Sequence, residues 1–303
     1  MNFKTVIDKC PQDLAFIVGN GINRYSNNLK AISWETLLLK LWEKFSFSTI
    51  SEIPKGISTT EFYDLLDIET TSTSISGSRI QKEASFLLES WSEAEHHKLF
   101  LKKAQQLKAP VLTTNFDLNL PNSLNLKQYY TSTKGFTDYY PWSTYYGDKQ
   151  LEYPTDGFGV WFINGLIRYH RSIRLGLSHY MGSVERARDM IHKGGDWNLY
   201  CGRNRENWKG CKTWLHIIFN NSLCILGLGL EENEVFLRWL LIERAKYFRK
   251  YPERKKKGWY ITNKPKDLDD RYKGKKYFFE KIGFEFIEVD SYDEIYVTPW
   301  NGF

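Results

Sequence analysis

Short, unbroken apolar runs recur along the chain, each closed by glycine or polar residues and followed by residues at helical spacing. LAFIV (14–18) leads into Gly19-Asn20-Gly21, VLTT (111–114) into Asn115-Phe116-Asp117, and VWFI (160–163) into Asn164-Gly165. LCILGLGL (223–230) precedes an acidic helix start. GWYIT (258–262) and FEFIEV (284–289) follow, parted by a helical stretch that ends near Gly283. Runs this short and this apolar fit strands covered on both faces, as in a parallel sheet. Their alternation with helices predicts an α/β fold, a doubly wound, Rossmann-like parallel sheet with helical insertions.

From Trp34 the apolar positions fall at 34, 37, 38, 41, 42 and 45, one face of a helix, with Ser33 as N-cap and Glu35 in the first turn. Residues 46–78 are rich in Ser and Thr and read as loops around one short helix near 60–67, and 79–108 return to helical spacing. Residues 46–108 are therefore expected as a helical insertion, or lid, between the first two strands. Residues 122–158, crowded with Tyr, Gly and Pro over 129–157, read as an irregular loop insertion. A further helix near 178–193 runs into the glycine-rich KGGDWNLYCGRN. No internal repeat or linker breaks the pattern, so residues 1–303 are expected to form a single domain.

Composition changes this picture little. Apolar residues make up 42% and charged residues 26%, the ordinary range of a globular protein, and the eleven Trp read mainly as core filling. The net charge of +6 would point to nucleic acid if it were spread, but residues 244–257 (RAKYFRKYPERKKK) hold eight Lys or Arg against one Glu. The remainder is near neutral. That segment reads as a solvated helix end and turn, where cations suit the helix dipole, or as a docking patch for an acidic partner. Specific nucleic-acid binding is not expected. Cysteines 10, 201, 211 and 224 stand singly, which fits neither a zinc ribbon nor a disulfide framework, so no metal is expected. No signal-peptide pattern follows Met1, and the longest apolar runs, about eight residues, fall short of a membrane span. A cytoplasmic protein without a membrane partner is the expectation.

Candidate chemistry lies at the strand ends. Gly19-Asn20-Gly21 after a buried strand allows a tight turn whose amides can approach a pyrophosphate, with the next helix adding its dipole. Arg24 stands where the dinucleotide fingerprint wants a third glycine, which disfavours an ordinary dehydrogenase. Thr113-Thr114-Asn115-Phe116-Asp117 puts polar groups at the carboxyl end of a strand. Asn offers donor and acceptor and Asp acceptors only, a pair suited to a ribose and a carboxamide. An Asx turn capping the next segment would use the same residues.

Taken in order, Gly-x-Gly with Asn23, T-T-N-F-D, I-N-G, S-I-R-L-G-L-S-H-Y-M-G and G-L-G-L resemble the sirtuin-like NAD hydrolases of bacterial anti-phage defence. The resemblance covers residues 14–45, 111–118, 159–192 and 223–246, somewhat under half the chain. It implies an NAD glycohydrolase that releases nicotinamide and ADP-ribose, depleting NAD in abortive infection. NAD is then the substrate. Gly19, Gly21 and Asn23 would hold the phosphates and adjoining ribose, with Thr114 beside them. Asn115 would position the attacking water at the nicotinamide ribose, and Asp117 would orient the carboxamide or the local hydrogen bonds. Gly227 and Gly229 would pass close to the adenosine.

The chain departs from the family in three ways. The two cysteine pairs of the protein-deacylating sirtuins are missing, which weakens a deacylase reading. No sensor or effector segment follows the core, so the trigger is expected from a homo-oligomer or from an activator or partner subunit in trans. The catalytic His-Gly reads Asn164-Gly165, whether by natural divergence or by a substitution made to inactivate. A carboxamide keeps a hydrogen bond of similar reach but does not titrate near neutrality. Retained NAD binding with weakened turnover is the expectation, and a non-catalytic NAD or ADP-ribose sensor or scaffold is the alternative. His170 is a conceivable substitute base, although RYHR reads as a surface turn; His179, at a helix start, is expected to line the pocket wall or to pack.

Overall fold

The computed structural model describes residues 3–9, 12–27, 31–71, 77–132, 140–201, 206–231 and 234–301. Its frame is an eight-stranded sheet made of Leu14–Val18 (β1), Val111–Thr113 (β2), Lys127–Tyr130 (β3), Thr144–Gly147 (β4), Val160–Phe162 (β5), Ser222–Leu226 (β6), Gly258–Asn263 (β7) and Glu285–Val289 (β8). Across the sheet the order is β3-β4-β5-β2-β1-β6-β7-β8. The six strands from β5 to β8 pair in parallel, while β3 and β4 join antiparallel at one edge. Numbered by chain order alone, the parallel strands run 3-2-1-4-5-6, the order of a Rossmann-like fold.

β1 shows why the apolar runs are unbroken. Every residue of it is buried, and alternate side chains enter opposite layers. Leu14, Phe16 and Val18 pack with Phe100 and Leu101 of helix Glu95–Gln106 and with Trp300, whereas Ala15 and Ile17 join helices Leu177–His192, Leu215–Asn220 and Val235–Lys250. Helices thus cover both faces, and neither face of a central strand can be polar.

A third cluster sits beyond the carboxyl ends of the strands. Helix Trp34–Phe45 starts where expected, Ser33 Oγ accepting from Thr36 N (3.1 Å), and it buries Leu37, Leu38, Leu41 and Trp42. It packs with helices Thr59–Thr71 and Gly77–Glu89 and with Phe116, Ile173 and Leu175 from the sheet side. The helical pattern of 79–108 is broken around 90–94 into two helices.

Two expectations need correction. Residues 122–158 are not an irregular loop throughout. They contain helix end, β3 and β4, and part of the segment, 133–139, lies outside the described residues. The basic segment 244–257 is not simply a solvated end either. Arg244 is buried and donates to the carbonyls of Ile218 (2.8 Å), Asn221 (2.9 Å) and Lys257 (3.1 Å). Lys246 pairs with Glu243, Arg254 with Glu253 and Lys256 with Asp13. Among the described residues, no helix is long and apolar enough to cross a membrane.

Candidate functional site

β1 and β6 are the neighbours from which the chain order runs outward in both directions. At such a switch point the loops leaving the carboxyl ends diverge and open a crevice. A cavity of about 580 Å³ occupies it, within the usual size of small-molecule sites. Its walls come from the ends of β1, β2, β5, β6 and β7 and from the third helical cluster, which contributes Trp34, Thr59, Leu88 and Trp91.

Seven of the residues singled out in the sequence border this cavity: Gly21, Thr114, Asn115, Asp117, Asn164, Gly227 and Gly229. Asn115 is held by its own strand end, its N–H donating to Thr113 Oγ1 (3.1 Å) and its Nδ2 to Gly19 O (3.3 Å). Asn164 is anchored by main chain. Its carbonyl accepts from Arg174 N (2.9 Å), and its Nδ2 points to Thr114 O at 3.4 Å. Gly165 after it has φ +104°, and a β-carbon there would lie 2.1 Å from Ser172 O, so only glycine allows the turn that fixes Asn164.

Gly19 and Asn23 lie below the cavity rather than on its wall. The amide of Gly19 donates to Leu226 O (3.1 Å) and that of Gly21 to Gly227 O (2.8 Å), so these two donors are engaged with the β6 loop. What the glycines visibly permit is contact between two turns. A β-carbon at Gly19 would sit 2.5 Å from Gly227 O, and one at Gly21 2.8 Å from Gly227 Cα. The helix that follows, Gly21–Arg24, has four residues, which leaves little dipole to attract an anion.

Asn23 is wholly buried and organises the floor. Its Nδ2 donates to Asp117 Oδ2 (2.8 Å), and its Oδ1 accepts from Asn119 Nδ2 (3.2 Å). His97 Nε2 lies 3.0 Å from the same Oδ1, so this nitrogen carries the proton, while Nδ1 accepts from Ala94 N (3.0 Å). Burial, then the neighbouring His96, pushes the His97 imidazole down to about 3, so it stays neutral. Asp117 Oδ1 accepts from Asn119 N (3.0 Å), so the Asx turn is present and the other oxygen belongs to the network. Burial raises the Asp117 carboxyl, opposed by those same hydrogen bonds.

Several wall residues carry no signal in the sequence pattern. Glu234 is partly exposed on the wall, and burial followed by the charge of Glu231 pushes its carboxyl up to about 7. Lys275 borders the cavity but is paired with Glu231, and Tyr260 donates to Leu228 O (2.7 Å), tying the β6 loop to β7. Beside Asn23 and Asp117, the buried network takes in His97 of EHHK, which the sequence pattern did not single out. His170 and His179 do not border the cavity. Of the two roles expected for His179, pocket wall or packing, the structure shows packing: its Nδ1 accepts from Leu175 N and Gly176 N (both 3.3 Å), and burial with the Arg174 charge pushes it down to about 4. Among the described residues no cluster of three or more His, Cys, Asp or Glu could hold a metal ion.

The arrangement offers polar, non-titrating amides at one end of a covered crevice, a buried carboxylate beneath them, and a carboxyl that ionises near neutrality on the opposite loop. Set against known proteins, the chain matches no protein-family model and no curated protein.

Proposed function

We propose that the cavity binds NAD and that the chain is an NAD glycohydrolase of the sirtuin-like type, releasing nicotinamide and ADP-ribose, with turnover lowered by Asn164. The observation that carries this reading is the convergence of seven motif residues from four separate strand ends on one cavity at the switch point.

In the reaction the bond between nicotinamide and ribose C1′ breaks, nicotinamide leaves as the neutral base, and water adds at C1′ and gives up a proton. Positive charge grows on the ribose, so fixed oxygens in a dry pocket lower the barrier. In this reading Asn115 orients the water, and Asp117 holds the polar floor. Asn164 can contact a ribose hydroxyl but cannot take its proton near neutrality.

The test is release of free nicotinamide by the purified chain and by Asn164→His, compared in the same oligomer or with the same activator. An imidazole restored at intact geometry contributes about 100- to 10,000-fold, and at least about tenfold is expected, mainly in kcat. NAD binding without nicotinamide release in either protein would favour the sensor or scaffold reading, to which the non-titrating Asn164 lends its weight. Absence of NAD binding would remove both.

A further inference from the structure

The β1 turn leaves an anion poorly served by main chain. The Gly19 and Gly21 amides already donate to Leu226 O and Gly227 O, and only a four-residue helix follows. Two side chains stand at the same place. Arg24 is exposed on the cavity wall, and its side chain makes no ion pair or hydrogen bond with any described residue. The other cation bordering the cavity among the described residues, Lys275, is already paired with Glu231.

Tyr296, at the end of the short helix Asp293–Tyr296, reaches the turn from the opposite side. The residue is 3% exposed and borders the cavity. Its hydroxyl sits so close over the two glycine turns that a β-carbon at Gly21 would lie 2.3 Å from it and one at Gly227 2.9 Å. This hydroxyl has no hydrogen-bond partner among the described residues and is not one of the buried unpartnered atoms, so it opens on the cavity and is free to donate to a ligand there. Burial raises its pKa, so the proton stays available for donation, while Arg24 acts on it in the lowering direction.

We propose that Arg24 and the Tyr296 hydroxyl form a diphosphate-binding corner, in which side chains supply the donors that the glycine turn does not. The proposal rests on the nucleotide reading of the cavity and specifies which part of the ligand is held, and by what. A guanidinium pairs with phosphate oxygens through two parallel N–H bonds, and a phenol adds one donor at a fixed height above the turn. The acids on the same walls, Glu35, Glu231 and Glu234 among them, make such a cation necessary for a ligand carrying two phosphates.

The experiment is calorimetric titration of the full chain, and of Arg24→Gln and Tyr296→Phe, with ADP-ribose and with adenosine, which lacks the diphosphate. ADP-ribose is expected to bind about tenfold more weakly to Arg24→Gln and about threefold to tenfold more weakly to Tyr296→Phe. Adenosine affinity and the melting temperature should not move. The Arg24 effect should shrink as salt is raised, since the group is exposed. Unchanged ADP-ribose affinity in both variants would overturn the corner while leaving the NAD reading in place. Equal losses for adenosine would also overturn it, because the residues would then shape the cavity rather than meet phosphate. Failure of the unsubstituted chain to bind ADP-ribose would defeat both.

Discussion

Glu234 is the residue whose behaviour is most exposed to measurement. Its carboxyl is raised to about 7 from an ordinary 4.5 by burial and by Glu231, so the folded chain holds this proton more tightly than the unfolded one. Its contribution to stability is therefore complete below pH 4.5, falls as pH rises, and is gone above about 7. Glu234→Gln should flatten that decline and melt higher than the parent at pH 8, with little difference at pH 4. Parallel melting curves across that range would mean the carboxyl is solvated. Nothing in EENE marks this acid in the sequence, since a run of acids before a helix reads as ordinary dipole complementarity. Asn23 shows the opposite difficulty. Its place after the glycine turn suggested a ligand contact, but its partner Asp117 is 94 residues away, and a pairing over that distance leaves no local pattern. Asn115, Asp117 and Asn164 were legible because strand ends in a parallel sheet all point to one crevice.

Strands were read where aliphatic runs mark them and missed where tyrosines do the burying. β1, β2, β5 and β6 are apolar runs because helices cover both of their faces. β3 (KQYY) is the half-exposed edge, and β4 (TYYG), between β3 and β5, is buried through tyrosines, so a criterion of aliphatic runs passed over both. Two glycines test how far an element dictates its residues. At Gly165 the backbone has φ +104° and a β-carbon would meet Ser172 O at 2.1 Å, so Gly165→Ala is expected to destabilise by at least about 2 kcal/mol. Gly182 lies inside helix Leu177–His192 with nothing within 4 Å of a β-carbon, so Gly182→Ala should stabilise by about 0.5–1 kcal/mol. Urea unfolding of the two variants checks both. Similar shifts of the same sign would mean that the turn after β5 relaxes freely.

Over the whole molecule, the positive charge that stood out in the sequence serves partly as internal scaffolding. Arg244 ties helix Val235–Lys250 to the chain before β6 and the chain before β7 through three carbonyls, and burial pushes its guanidinium down to about 9. Arg244→Leu leaves those acceptors unpaired and should lower unfolding stability by about 3 kcal/mol, against within about 0.5 kcal/mol for the exposed Lys255→Ala. Equal effects would show that Arg244 is replaceable packing. Composition could not separate the two kinds of cation, because burial of an arginine depends on which carbonyls the fold leaves open beside it.

The central place of β1 has a consequence for how the chain is made. β1 is synthesised before both of its partners, which arrive only at Val111 and Ser222, and Tyr296 and Trp300, which close around it, come later still. At about 5–20 residues per second, LAFIV waits roughly 5 to 20 seconds with both edges open before β2 reaches it, and roughly 10 to 40 seconds in all before β6 covers the second edge. An apolar strand with bare edges is a template for the wrong neighbour. Yield in the cell should therefore depend on whatever shields the nascent chain during that interval, and a substitution that slows translation before Ser222 would lower the amount of folded protein without touching its stability.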